Sequence, residues 1–304
     1  MGHRFPLSAD PETGLWKTTR RGSWTAGFWA GQLWLRARLT GLPEHRDAAR
    51  RHTALLSDWT VTDTVTRGMI LWYGVCAGER LGVDDGVAML ARDGALDLAT
   101  TFDHDAGVLP WGTAFGDPAH PVLARTDGVP GVIPLLAWAG RTDLSARHLR
   151  THLHLAESAG NAWSYSKGTW SGKAEPPPGW TRGEAWLLLG LADGAQWIDP
   201  SLAGGARDSA RLPGFPAVRG IPGSPPDSSA AAITAVALAK LGLIDEAADV
   251  VATLLRDHVR DDRLWDGCHD LNRGVSTAHQ LVWGDFFLLL ALAILSGRVP
   301  ADAL

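Results

Sequence analysis

The segment SSAAAITAVALAKLGLIDEAADVVATLLRDHV, residues 228–259, decides the fold. Apolar residues return every three or four positions on both sides of LGLIDEA, which is typical of two amphipathic helices joined by a short turn. Asp227 or Ser228 can cap the first of these helices. The segment therefore predicts a helical hairpin with helices at 228–241 and 244–259.

The same periodicity continues along the chain and predicts eleven helices and no obvious sheet. The other nine helices are expected at 24–40, 44–58, 63–81, 85–101, 129–140, 143–157, 182–194, 199–211 and 277–296. Longer Gly/Pro-rich loops separate the hairpins, at 102–128, 158–181, 212–227 and 260–276. No low-complexity linker divides the chain, so residues 1–304 are expected to form a single all-α domain.

A chain of helical hairpins builds either a solenoid or a closed ring. No repeat of fixed period is visible, which favours the closed ring, an α/α barrel, over a solenoid. In such a ring the long loops gather at one end and form a cleft. We therefore expect the functional residues on these loops.

Composition and charge exclude several classes of function. The 304 residues carry a formal charge of −5 without basic runs, which argues against nucleic acid and anionic membranes as partners. The longest apolar run, FFLLLALAIL, is too short to span a bilayer, and no secretory signal is visible. With only two cysteines, we expect a cytoplasmic protein that binds a small soluble ligand. No cofactor or metal is expected, since His148, His152 and His154 fit a solvated helix face better than a metal site.

Tryptophan usage is the informative feature of the composition. The chain has fifteen Trp and only two Tyr. Indole faces in a cleft stack on sugar rings, although core packing accounts for most tryptophans in most proteins. Several of the fifteen fall in the long loops, where they could line such a cleft.

Two aspartates and one arginine are the candidates for chemistry. Asp105 in FDHDAGVLPWG and Asp127 in RTDGVPGVIPLL could divide acid and base roles, because apolar surroundings such as VPGVIPLLAWA keep a carboxyl group protonated. Alternatively, both are turn or capping residues. Arg182 could bind a substrate carboxylate bidentately between Trp180 and Trp186, or could form an ion pair with Glu184.

Five stretches in order resemble the signature segments of unsaturated glucuronyl hydrolases, glycoside hydrolase family 88, and of the related unsaturated rhamnogalacturonyl hydrolases, family 105. They are WTAGFWAGQLWL (24–35), HDAGVLPW (104–111), DGVPGVIPLLAWA (127–139), WTRGEAW (180–186) with PPDSSAAAI (225–233), and GCHDLNRGVSTAHQLVWGDFFLLLAL (267–292). The resemblance implies an (α/α)6 barrel. It also implies removal of a 4,5-unsaturated uronic acid from the non-reducing end of a saccharide, by hydration of the C4=C5 vinyl ether.

The resemblance also implies roles for individual residues. Asp127 matches the acid/base aspartate, and Asp105 matches a second, supporting aspartate. The residues that match positions around the sugar are Trp24, Trp29, His104, Trp180, Arg182 and Trp186. The implied ligand is a small anionic saccharide, bound without a cofactor.

The chain departs from the family pattern in places. Ser166 stands where the family has a substrate-contacting His, and Ala278 and His279 replace an acidic pair. Residues 1–23 are too short for the first outer helix, so we expect an eleven-helix barrel with an apolar face that the partner in a homodimer could cover. Two alternatives stay open: a sugar-tailoring enzyme of secondary metabolism, and a non-catalytic carbohydrate-binding relative.

Overall fold

The computed structural model describes residues 4–158, 160–177, 179–210 and 225–304. Residue 211, the predicted end of one helix, and most of the predicted loop 212–227 therefore lie outside the described residues.

Helices dominate the described chain, as predicted. The third predicted helix is continuous but passes through a π-helical turn at Trp72–Cys76, between α3 and α4. The helices are α1 (Ala26–Thr40), α2 (Pro43–Ala54), α3 (Arg67–Leu71), α4 (Ala77–Arg80), α5 (Ala88–Thr100), α6 (Val132–Trp138), α7 (Thr142–Ala156), α8 (Thr181–Trp197), α9 (Leu202–Ala210), α10 (Ser228–Lys240), α11 (Ile244–Asp257) and α12 (Val282–Leu295).

Six of these helices close into a ring. Each packs on the next in the order α1, α3, α6, α8, α10 and α12, and α12 packs back on α1. Helix α4 continues α3 through the π-helical turn and belongs to the same ring position. The other five helices lie outside the ring: α2 on α1, α5 on α3 and α6, α7 on α6 and α8, α9 on α8, and α11 on α10 and α12. The predicted α/α barrel is confirmed, with five outer helices among the described residues.

The expectation that the chain has no sheet is wrong. Three small antiparallel sheets join β1 (Phe5–Ala9), β2 (Trp16–Thr19) and β8 (Gln280–Leu281); β3 (Val122–Arg125), β4 (Ala162–Ser166) and β5 (Thr169–Gly172); and β6 (Val259–Arg260) and β7 (Arg263–Leu264). None of these strands exceeds five residues. An alternating pattern of that length does not stand out in a sequence of amphipathic helices.

The β1–β2 hairpin occupies the place where a sixth outer helix would lie. Strand β1 packs on α1 and α12 and pairs with β8. Phe5 is fully buried, with its ring edge-on to His52 of α2 at 5.9 Å. The N-terminal segment therefore covers apolar surface between α12 and α1, where we expected an uncovered face.

Aromatic rings fill the inside of the barrel. Phe28, Tyr73, Phe286 and Phe287 are buried, and their ring centroids lie 5.1–5.6 Å apart. The core is therefore packed from α1, from the π-helical turn and from α12.

Glycines set the closest helix approaches in the ring. A Cβ atom on Gly27 of α1 would lie 2.6 Å from Ile70 Cα, and one on Gly74 would lie 2.7 Å from Gly27 Cα. A Cβ atom on Gly68 of α3 would lie 2.3 Å from Val132 Cγ2 of α6. Because a Cβ atom does not fit at these positions, the ring closes here only with glycine.

Among the described residues, none of the helices combines the length and the apolar character that a membrane crossing requires.

The Gly27→Ala substitution should destabilise the barrel, because its methyl group would overlap the α3 backbone. We expect a loss of about 1–3 kcal/mol in the free energy of unfolding, the usual cost of overpacking. Denaturant unfolding measures it. The matched control is Gly204→Ala in α9, where a Cβ atom meets nothing within 4 Å and should stabilise the helix slightly. Equal stability changes in the two variants would contradict this account of ring closure.

Candidate active site

The six ring helices all begin at the same end of the barrel. Ring helices alternate with antiparallel outer helices, so they run in the same direction and the long connections meet at their N-termini. Helix N-termini carry partial positive charge and unpaired backbone N–H groups. This end of the barrel is therefore suited to an anionic ligand, and we call it the cleft end.

An aromatic cluster with one arginine lies at the cleft end. Trp24 lies 4.8 Å from Trp283 and 6.1 Å from His269, measured between ring centroids. The Arg182 guanidinium carbon lies 5.0 Å from the Trp180 ring and 5.5 Å from the Trp283 ring. The structure thus brings together the predicted residues Trp24, Trp180 and Arg182, and adds His269 and Trp283. Trp24 and Trp180 are partly exposed, as a sugar-stacking surface requires.

Arg182 does not have the free guanidinium that bidentate substrate binding needs. Its side chain is almost fully buried and its Nη1 donates to Asp227 and to the Cys268 carbonyl oxygen. Its Nη2 donates to the His269 carbonyl oxygen at 2.8 Å. The partner of Arg182 is therefore Asp227, not Glu184, and the pair fastens the 268–269 loop to the starts of α8 and α10.

Asp227 also caps α10, which confirms its assignment as a helix cap. Its Oδ1 accepts hydrogen bonds from the Ser229 backbone N–H at 3.2 Å and from the Cys268 backbone N–H at 3.3 Å. Trp283 Nε1 donates to Ser229 Oγ at 2.9 Å. One buried carboxylate thus joins the arginine, the loop and the aromatic cluster.

His269 can offer a neutral ring to the cleft. Burial lowers the pKa of His269 to about 4, and the Arg182 cation acts in the same direction. Near neutral pH the imidazole therefore carries one N–H donor and one acceptor nitrogen, which suits hydroxyl groups.

Asp127 lies on a short 3-10 turn, Thr126–Gly128, between β3 and α6. Its side chain is 18% exposed and pairs with Arg125, with Nε 3.1 Å from Oδ1 and Nη2 3.4 Å from Oδ2. The Arg125 guanidinium carbon lies 4.6 Å from the Trp111 ring centroid. The sequence predicted purely apolar surroundings for Asp127. In the structure the carboxyl group instead contacts the Arg125 guanidinium, which stacks on the Trp111 indole.

Asn161 connects the Asp127 turn to the aromatic cluster. The Asn161 carbonyl oxygen accepts from the Thr126 backbone N–H at 3.0 Å. A Cβ atom on Gly183, in the first turn of α8, would lie only 2.2 Å from Asn161 Oδ1. The Asn161 side chain therefore packs directly against the start of α8. Asp127 and Arg182 therefore stand on neighbouring helix starts held together by one asparagine. No sequence motif pointed to Asn161, Arg125 or Trp111 as a unit, because they come from three separate segments.

Asp105 lies upstream of Asp127 in the same connection, the one between α5 and α6. Asp105 is exposed in a turn closed by the Asp103–Val108 bridge, and no described hydrogen bond or ion pair joins it to Asp127. It lines a groove of about 450 Å³ along the outer helix α7, beside Arg147, Arg150, His154 and Trp170. Two carboxylates do not form an ion pair with each other, so the expected pairing of Asp105 with Asp127 stays a prediction.

Three other predicted site residues also lie away from the aromatic cluster. His104 is exposed in the same turn as Asp105, with its ring on Phe102. Trp29 packs edge-on to His52 of the outer helix α2, and Trp186 is fully buried against Phe287 in the barrel. Trp186 therefore follows the alternative interpretation of tryptophan as core packing, whereas Trp29 is partly exposed.

The predicted solvated face of α7 is only partly solvated. His154 is 80% exposed, whereas His148 and His152 are buried. No cluster of potential metal ligands is found among the residues that the structure describes.

Comparison with known proteins identifies relatives over nearly the whole chain. No protein-family model matches. A curated unsaturated glucuronyl hydrolase from Bacillus sp. (strain GL1) is 28% identical over 346 residues, covering 96% of this chain and 91% of that protein. The resemblance identified from the five motifs is thereby confirmed.

Solved structures support the same relationship. An Asp-to-Asn variant of an unsaturated glucuronyl hydrolase, described with dGlcA-Glc-Rha-Glc, has a TM-score of 0.85 at 25% identity and covers 98% of this chain and 92% of its own. The crystal structure of the Bacillus sp. GL1 enzyme has a TM-score of 0.84 at 25% identity, with the same coverage. The Streptococcus agalactiae enzyme, at 18% identity and a TM-score of 0.78, covers 96% of this chain and 86% of its own, and shows the shared fold.

The Arg182–Asp227 pair should behave as a coupled unit. Arg182→Met leaves the Asp227 carboxylate buried without its cation, so we expect a loss of about 3–5 kcal/mol in unfolding free energy. Adding Asp227→Asn to Arg182→Met should recover part of that loss, because no unpaired buried charge remains. Denaturant unfolding of both single variants and of the double variant measures the coupling. Additive losses would show that the two side chains act independently.

Asp285 should make stability depend on pH. Burial raises the pKa of Asp285 to about 7, although Gln280 Nε2 donates to it at 2.7 Å. Its pKa is higher in the folded than in the unfolded protein, so its carboxyl group destabilises the fold increasingly as pH rises from about 4 to about 7. We expect Asp285→Asn to increase unfolding free energy more at pH 8 than at pH 4, measured by denaturant unfolding. The same increment at both values would contradict the raised pKa.

Proposed function

We propose that this chain is an unsaturated glucuronyl hydrolase, a glycosidase that removes a 4,5-unsaturated uronic acid from the non-reducing end of a saccharide. The observation that carries the proposal is the match along 96% of the chain to a curated enzyme of that name. The relative described with dGlcA-Glc-Rha-Glc supports a saccharide ligand. The cleft end supports an anionic saccharide, because six helix N-termini and the Arg182 cation meet there.

The reaction we propose is hydration of the C4=C5 vinyl ether. Asp127 donates its proton to C4, and a water oxygen adds to C5 while its proton returns to the Asp127 carboxylate. The C5 hemiketal then collapses, the ring opens, and the aglycone leaves as an alcohol. Asp127 suits this role because its carboxyl group is partly exposed on a turn beside the cleft.

We assign the proton transfer to Asp127 without Asp105. The family resemblance makes Asp105 the supporting aspartate, but its exposed position in a groove along α7 favours a non-catalytic role. For the sugar we propose stacking on Trp24 and Trp180. Arg182 would contribute positive charge without donating to the substrate, since its hydrogen bonds serve Asp227 and the loop.

A non-catalytic carbohydrate-binding protein is the second candidate. It is favoured by one observation: the Asp127 carboxyl group, the proposed proton donor, is already held in an ion pair with Arg125. A sugar-tailoring enzyme would use the same cleft on another substrate, and differs from the first proposal only in the saccharide that it accepts.

Location and assembly are further proposals. A cytoplasmic location fits the sequence, and both cysteines are free and buried. A homodimer stays a prediction, and the β1–β2 hairpin weakens its basis by covering the place of the sixth outer helix.

The Asp127→Asn variant should lose turnover, because an amide cannot donate the proton. With unsaturated disaccharides of several aglycones, we expect the absorbance of the conjugated alkene to decay with the unchanged protein and about 100-fold or more slowly with Asp127→Asn. Calorimetry should show that the variant still binds the disaccharide.

Asp105→Asn is the matched control and should retain most of the activity. A large loss in Asp105→Asn would return Asp105 to the catalytic machinery. Binding without decay in the unchanged protein would favour the carbohydrate-binding candidate, and the absence of both would reject the proposal.

A further inference from the structure

Two buried histidines on the outer helix α7 lie directly behind the turn that carries Asp127. His148 is fully buried and His152 is 1% exposed. Their ring centroids lie 4.3 Å apart, which their spacing of four residues on one helix face allows. Neither residue has a role in the proposed reaction, yet burying two imidazoles on one helix is costly unless their nitrogens are paired.

His148 bridges two loops of the cleft end. Its Nδ1 accepts a hydrogen bond from the Leu109 backbone N–H at 3.0 Å. Its Nε2 lies 3.1 Å from the carbonyl oxygen of Gly128, the residue after Asp127. Because Nδ1 accepts, the single proton of the neutral ring is on Nε2, which donates to Gly128.

The bridge requires a neutral ring, and the surroundings keep it neutral. A protonated His148 would have no lone pair for Leu109. Burial lowers the pKa of His148 well below its usual value, and the neighbouring His152 acts in the same direction. The bridge therefore persists at neutral pH.

His152 packs beside His148 and bonds within its own helix. Its Nδ1 donates to the His148 carbonyl oxygen at 2.9 Å. Burial lowers the pKa of His152 to about 4, opposed by its interactions with the Arg125 backbone and the Asp127 carboxylate. Residues on both sides of Asp127 are thus in reach of this pair of rings.

We infer that His148 is a positioning residue for Asp127: it fixes the Thr126–Gly128 turn, and so the direction of the carboxyl group, by donating to Gly128. The inference rests on the proposed function for the chemistry that it serves. Its physical content, the fixing of the turn, is independent of that function.

Two amide substitutions separate the two hydrogen bonds of His148. In His148→Gln the side-chain nitrogen takes the place of ring Nε2 and can still donate to Gly128. In His148→Asn the side-chain oxygen takes the place of ring Nδ1 and can still accept from Leu109, but the bond to Gly128 is lost. Each variant keeps one bond and loses the other, so they are controls for each other in stability.

The first measurement is hydrogen exchange at the Val129 backbone N–H, which donates to Thr126 across the turn at 3.2 Å. We expect faster exchange in His148→Asn than in His148→Gln, with similar losses of Tm in the two variants. Equal exchange rates at Val129 in the two variants would overturn the inference.

The second measurement is turnover of an unsaturated disaccharide. We expect kcat to fall roughly tenfold or more in His148→Asn with little change in KM, and to be largely retained in His148→Gln, because small displacements of a catalytic group cost rate. A parallel fall of kcat and Tm in both variants would show a merely structural role. If the unchanged protein turns over no disaccharide, the proposed function fails, and the exchange rates at Val129 alone decide the inference.

Discussion

Closure of the inner ring is the constraint on which the rest of the structure depends. Six helices can surround a packed core only if neighbouring backbones approach closely, and Gly27, Gly68 and Gly74 permit this between α1, α3 and α6. The outer helices return the chain between ring helices, so the ring helices run in one direction and the loops before them converge. Closure then brings the start of α12 to the start of α1, where Trp283 meets Trp24.

The converging helix starts also determine the charge of the site. Their partial positive charges add to the cations of Arg125 and Arg182. Both cations are already held by carboxylates, Arg125 by Asp127 and Arg182 by Asp227. The positive potential at the cleft end therefore comes mainly from the fixed backbone dipoles, because each ion pair has no net charge. The described hydrogen bonds of Arg182 all go to protein groups. An anionic sugar would be attracted by the field and oriented by ring stacking.

The sequence predicted those features that a local pattern encodes. Apolar periodicity predicted eleven helices, of which one comprises α3, the π-helical turn and α4. Trp180 and Arg182 were found at a predicted helix start, and Trp24 was found from the family resemblance. The short strands were missed because their pairing is between distant segments. The pairing of Asp105 with Asp127 came from the family resemblance and stays a prediction. His148 and His152 were expected in solvent, although they share a helix face with the buried residues Leu149 and Leu155.

Three buried polar side chains have a common physical role, and sequence analysis assigned a site role to only one of them, Arg182. His148, Asn161 and Arg182 all bond to backbone groups of the loops at the cleft end. Loops that enter a packed barrel bring carbonyl and N–H groups out of water, and each such group costs free energy unless it is paired. The His148 imidazole, the Asn161 amide and the Arg182 guanidinium supply hydrogen-bond partners for several of these backbone groups. Because each side chain joins segments far apart in the chain, its partner is not visible in any motif. The geometry of Asp127 and of the aromatic cluster therefore depends as much on these buried donors as on the residues expected to touch the sugar.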